Sequence, residues 1–250
     1  MTVVFLHGLA GSRMTYAWLP DVVAGHEVVR PDLRGHGEAA RTPGAYLISD
    51  YAQDALEVLR ATGPAFVVGH SLGGAAAWCV AQRAPELVLG ALLEDPPLYM
   101  GEPAEHAANP AVPHFAQLQR LAGRPEAAIA ERLAAEPYGP DPTRRAADVA
   151  APDAMAARAY ALAHLDPAAL DPVLDGTLLA ATDTTAPVTV PVHVLAAGLA
   201  PAFTPEHERR LAASHPAVTV ARVASAGHSI HDERDHRTAY LDAVTALLTR

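Results

Sequence analysis

Six short apolar runs recur along the chain, and helix-length stretches separate most of them. They lie at 3–6, 27–29, 66–68, 88–93, 192–196 and 218–223, are rich in Val and Leu, and are bounded by Gly, Pro or polar residues. A run that is apolar at successive positions needs cover on both faces, as a strand inside a parallel sheet has. Between the runs, 50–61 places Tyr51, Ala55, Val58 and Leu59 on one helical face, with Ser49 as the expected N-cap. Further helices are expected at 72–83, 206–214 and 232–248. This alternation predicts an α/β fold: a mostly parallel, doubly wound sheet of about six strands joined by right-handed crossovers.

The rhythm breaks between 99 and 187. No strand pattern stands out there, and helical pieces at 113–122, 125–136, 152–164 and 167–175 each open on proline, a residue suited to a first helical turn. The reading is a core of 1–98 and 188–250 interrupted by an all-helical insertion, 99–187. No internal repeat is visible.

Composition narrows the function classes. Of the 250 residues, half are hydrophobic and 18% are charged, enough for a sizeable core. With 18 Lys+Arg against 28 Asp+Glu, the net charge of −10 disfavours nucleic acid and anionic membranes as partners. The single cysteine, Cys79, excludes an internal disulfide or a Cys-rich zinc site. The opening Met1-Thr2-Val3-Val4-Phe5-Leu6-His7 has no basic segment and only a short apolar run, which reads as neither a signal peptide nor a span. The expected setting is cytoplasmic, with a small molecule as the partner.

The most specific signal is Gly69-His70-Ser71-Leu72-Gly73, a G-x-S-x-G set directly between a strand and a helix. Such a turn lifts a hydroxyl above the carboxyl edge of the sheet and aims the first helical N–H groups at a reacting oxygen. Three further motifs follow strands in turn: His7-Gly8-Leu9, Asp32-Leu33-Arg34-Gly35-His36-Gly37, and Ala226-Gly227-His228-Ser229. In content and order these resemble the α/β-hydrolase superfamily, in its capped serine-esterase or lipase-like branch, over nearly the whole chain.

The resemblance implies Ser71 as nucleophile, His228 as general base, and backbone N–H groups of Leu9 and Leu72 as the oxyanion hole. It implies 99–187 as a cap, and among that segment's apolar residues, Phe115, Leu118, Leu121, Leu162 and Leu165, some are expected to line the pocket. The third member of the triad departs from the commonest pattern. After 192–196 the chain reads Ala197-Gly198-Leu199-Ala200-Pro201-Ala202-Phe203, without a carboxylate. The family's other placement is at the end of the strand beside the nucleophile strand, where Glu94 and Asp95 stand. Side chains of a strand alternate, so the two face opposite ways; Asp95 aligns better, with Glu94 as the alternative acid.

His7, His70, Asp32, Arg34 and His36 read as residues that hold loops. His231, Asp232, Asp235 and His236 read as the start of the last helix, with acids suited to its N-terminus rather than to a metal. No metal and no cofactor are expected. The family usually opens with a hairpin before the His-Gly loop; here that loop arrives at residue 7, which leaves a sheet edge for a second copy of the chain or a cap segment to cover.

A serine at the elbow disfavours the dehalogenase and epoxide hydrolase chemistry that uses aspartate there. The implied reaction is hydrolysis of small or medium apolar carboxylic esters, lactones or thioesters through an acyl-enzyme. Two alternatives stand beside it: lyase, cyclase or C–C bond hydrolase chemistry on the same Ser71 and His228, and a non-catalytic ligand-binding module.

Overall fold

The computed structural model describes residues 1–19, 23, 25–139 and 141–249. Its elements run β1 (Thr2–Leu6), β2 (Glu27–Val29), α1 (Ile48–Thr62), β3 (Ala65–His70), α2 (Leu72–Arg83) and β4 (Val88–Glu94). A long segment follows, with α3 (Pro103–Ala108), α4 (Val112–Leu121), α5 (Glu126–Ala135), β5 (Pro137–Tyr138), β6 (Asp141–Arg145), α6 (Ala146–Val149), α7 (Pro152–Ala163) and α8 (Asp171–Leu174). The chain closes with β7 (Val192–Ala197), α9 (Pro205–Ser214), β8 (Thr219–Val223) and α10 (Arg237–Leu248).

The six expected strands form one sheet in the order β2-β1-β3-β4-β7-β8, with every neighbouring pair parallel. Period-two alternation explains why both faces are apolar. Val4, Leu6, Val67, Ala91 and Leu93 join one buried cluster with α1 and α2, while Val3, Phe5, Phe66, Val68 and Leu92 join another with Tyr240, Val244 and Leu247 of α10. Cys79 lies free and buried in the first cluster, where burial pushes its thiol up to about 11. Among the described residues no helix is long and apolar enough to cross a membrane.

Three local expectations are corrected. The segment between β4 and β7 is not all-helical: β5 and β6 pair antiparallel, in a stretch whose prolines (Pro137, Pro140, Pro142) masked any strand signal. Helix α1 starts at Ile48 with Leu47 at the N-cap, because the Asp50 carboxylate, rather than Ser49, accepts the Leu47 N–H at 2.9 Å. The last helix begins at Arg237 instead of 232. Residues Ile230–Asp232 form a separate 3-10 turn, and the Glu233 carboxylate accepts from the Gly227 N–H (2.9 Å) and the Tyr138 hydroxyl (2.6 Å), which holds the chain off the helical path.

Burial sets the cost of damaging this core. Leu93 is fully buried and Leu89, on the same strand, is 41% exposed. Leu93→Ala is expected to lower the unfolding free energy by about 2–5 kcal/mol, and Leu89→Ala to change it by no more than about 0.5 kcal/mol, in urea titrations of the two variants.

Candidate active site

Ser71 sits between the end of β3 and the first residue of α2, at φ 49° and ψ −114°, a backbone region that side chains with a Cβ rarely adopt. The flanking glycine explains how the turn closes. A Cβ on Gly73 would collide with the Leu6 carbonyl, so only glycine lets α2 leave β3 this tightly against β1. The 7–11 loop then lies directly on the turn: a side chain at Gly8 would meet His70 Nδ1 at 2.6 Å and Ser71 Cβ at 3.3 Å.

Buried histidines fix that loop. His7 accepts the Leu33 N–H at Nε2 (3.0 Å) and donates from Nδ1 to the Gly8 carbonyl (2.9 Å). His36 accepts the Ala10 N–H at Nε2 (3.1 Å) and donates from Nδ1 to the Arg34 carbonyl (2.9 Å). Burial lowers the pKa of both rings. His36 is pushed down to about 3, with the neighbouring His7 adding to the effect, so each stays neutral and keeps one acceptor nitrogen. Arg34 is held in turn by two hydrogen-bonding nitrogens on Asp54, and Asp32 accepts the Arg13 and Glu38 N–H groups at 2.7 and 3.0 Å. The Asp32–Gly37 turn thus braces the loop from behind, while among the described residues the Leu9 N–H has no hydrogen-bond partner.

At the end of β4 the two adjacent carboxylates go separate ways. Asp95, fully buried at φ 41°, takes four donors: Ala197 N–H (3.2 Å) and Phe203 N–H (3.2 Å) on Oδ1, Ala202 N–H (2.8 Å) and His228 Nδ1 (2.7 Å) on Oδ2. The 197–203 loop, which has no acid of its own, wraps its backbone N–H groups around this one. Glu94, also fully buried, receives the His231 N–H (2.9 Å) and His231 Nδ1 (2.7 Å) on its two oxygens. Glu94 does not hydrogen-bond to His228.

His231, expected at the start of the last helix, is instead buried at 1% exposure, between Glu94 and Asp232 and against the rings of Tyr16 and His70. Burial pulls its imidazole pKa down, but Glu94 and Asp232 outweigh that and hold it above the usual histidine value. The one sequence hint was its position three residues beyond His228. His70 belongs to the same cluster. Burial drives its pKa well down, and its Nε2 lies 3.2 Å from the His228 carbonyl, with the two rings 4.7 Å apart.

The structure brings Asp95 to His228 through a direct bond, and packs His70, the chain neighbour of Ser71, against the His228 ring. Ser71 Oγ itself makes no hydrogen bond among the described residues. The His228 side chain is 38% exposed, so Nδ1 faces the buried acid while the ring keeps an open side. His70, Glu94 and His231 could each offer a metal-ligand atom within 4.8 Å of the others, although the bonds just given already occupy His231 Nδ1 and His70 Nε2. A pocket of about 70 Å³ opens beside the turn between Leu9, His70 and the inserted helices. Of the apolar residues expected to line it, Leu118 and Leu162 do; Phe115, Leu121 and Leu165 do not, and Leu165 is fully buried in the core.

A sequence model of the alpha/beta hydrolase family matches residues 3–239. The chain belongs to that family. An sn-1-specific diacylglycerol lipase of Mus musculus is 26% identical over 266 residues, covering 98% of this chain and 80% of its own. An esterase of Mycobacterium tuberculosis is 40% identical over 97 residues, or 37% of this chain and 32% of that one. Among solved structures, E-2-(acetamidomethylene)succinate hydrolase superposes with a TM-score of 0.77 at 21% identity, covering 100% of this chain and 91% of the other. An enzyme of the hydrolase class on a small molecule is the coarse assignment these likenesses support.

The depressed His36 pKa carries a pH consequence. A histidine whose folded pKa lies below its ordinary 6.5 stabilises the fold above 6.5, and that stability is lost as pH falls toward about 3. Unfolding free energies of wild type should therefore fall with acidification in this window. In His36→Gln the slope should be shallower by up to about 1.4 kcal/mol per pH unit, the contribution of one proton.

Proposed function

We propose that the protein is a serine hydrolase acting on small carboxylic esters, lactones or thioesters, with Ser71, His228 and Asp95 as its triad. The observation that carries this reading is the 2.7 Å bond from His228 Nδ1 to a fully buried Asp95, beside a serine at a positive-φ strand-to-helix turn. With its proton on Nδ1, the imidazole presents a basic Nε2 on its open side. In structures without substrate the serine–histidine bond is often long and shortens when the reacting group enters.

The steps follow from these positions. Ser71 Oγ attacks the substrate carbonyl carbon and passes its proton to His228 Nε2. The carbonyl oxygen becomes an oxyanion held by the free Leu9 N–H and the Leu72 N–H, which opens α2 and so lacks a helical carbonyl. Asp95 stabilises the imidazolium throughout. The C–O or C–S bond to the leaving group breaks, and His228 returns the proton to that group. Water then attacks the acyl-enzyme and gives its proton to His228, which hands it back to Ser71 Oγ as the acid departs. In this reading 99–187 is a cap that closes over the pocket, and a homodimer would cover the short β2 edge.

A fluorophosphonate probe tests the nucleophile. Wild type should label stoichiometrically and Ser71→Ala not at all. Asp95→Asn should keep its fold by circular dichroism and lose about 10⁴-fold in kcat on an aryl ester. A folded wild type that never labels would sink the proposal, and an Asp95→Asn enzyme that turns over normally would remove the acid from its role.

A further inference from the structure

The pocket beside the Ser71 turn is lined by an arginine that no carboxylate among the described residues pairs. Arg158 on α7 lines it, with Leu162 one turn further along the same face. His114 and Leu118 repeat that spacing on α4 across the pocket. Other part-buried arginines are satisfied within the protein: Arg34 by Asp54 at 2.6 Å, Arg222 by Glu208 at 3.0 Å, Arg237 by Asp153 at 2.6 Å, and Arg30 by the Tyr16 carbonyl at 2.9 Å. Among the described residues, Arg158 has neither an ion pair nor a hydrogen bond.

We propose that Arg158 recognises a carboxylate on the acyl portion of the substrate, so that the preferred substrates are short acyl compounds carrying a negative charge a few bonds from the reacting carbonyl. This rests on the hydrolase reading above and replaces an apolar acyl group with an anionic one.

Five observations carry it. Arg158 is half-buried, and a guanidinium partly withdrawn from water favours an anion, its planar donors matching a carboxylate two-to-two. Of the lining histidines, His231 is already paired with Glu94 and Asp232, and His70 and His114 do not compete for that anion. Burial lowers the pKa of both His70 and His114, and the charge of Arg158 pushes them the same way, so Arg158 supplies the permanent positive charge. The lining carboxylate, Asp232, is already turned to His231, whose Nε2 lies 3.3 Å from its Oδ1. Position assigns the acyl side. Gly8, Leu9 and His70 line the pocket, so it opens on the oxyanion-loop side of the turn, with Ser71 and His228 at its margin rather than in its lining. At about 70 Å³ the space suits a few heavy atoms rather than a long chain.

The test compares mono-4-nitrophenyl succinate with 4-nitrophenyl butyrate, which differ by a terminal carboxylate in place of a methyl group. Wild type should favour the succinate ester in kcat/KM by at least about tenfold, about 1.4 kcal/mol. In Arg158→Met that ratio should fall to near one, and Arg158→Lys should recover part of it. A wild-type ratio near one, or an Arg158→Met ratio equal to that of wild type, overturns the proposal; if Ser71 still labels, the hydrolase reading survives. Calorimetric titration of wild type and Arg158→Met with succinate separates the two claims from the other side. Should neither ester turn over and Ser71 not label, Arg158-dependent succinate binding still supports the anion site, and its absence refutes it.

Discussion

A carboxylate with no access to water must find all its hydrogen bonds within the protein, and Asp95 meets that demand by drawing three parts of the chain together. Its donors come from the last residue of β7, from the loop before α9, and from the imidazole after β8. Removing any of them leaves a buried charge partly unsatisfied, which costs more than the bond itself is worth. The arrangement therefore fixes His228 as firmly as the sheet fixes Ser71. Glu94, facing the other way, clamps the same downstream loop at a second point through His231. The last residue of β4 and the one after it thus hold both ends of the segment that carries the imidazole.

Rigidity on the opposite side has a different source. The 7–11 loop is held by neutral histidines whose acceptor nitrogens depend on their remaining unprotonated. Burial secures this, as the low His36 pKa shows. A protonated ring would lose its acceptor and carry a charge into the core. The loop that presents the Leu9 N–H is in this way tied to solvent pH, although it contains no titrating group that takes part in the proposed chemistry.

Features with a strong local cause were legible in the sequence. The six strands follow from short apolar runs, and the turn at Ser71 follows from glycines that no other residue could replace beside Leu6. The order of motifs was enough to point to the family. Features decided by tertiary contacts were not legible. Strand alternation separates Glu94 from Asp95 but does not say which of them the imidazole meets; that depends on where the 197–203 loop brings its N–H groups. His231 looked like part of a polar helix start because nothing local reports that Glu94 awaits it. The β5–β6 hairpin escaped notice because prolines removed the pattern by which strands are read.

The loop that wraps Asp95 contributes only main-chain N–H groups. Ala197, Ala202 and Phe203 offer the same donors whatever side chains they carry, and proline alone would forfeit one. Selection on the charge-holding role therefore scarcely constrains which amino acids occupy these positions. Packing sets those identities instead, since Ala197 and Phe203 are fully buried and Phe203 belongs to the core beneath the sheet.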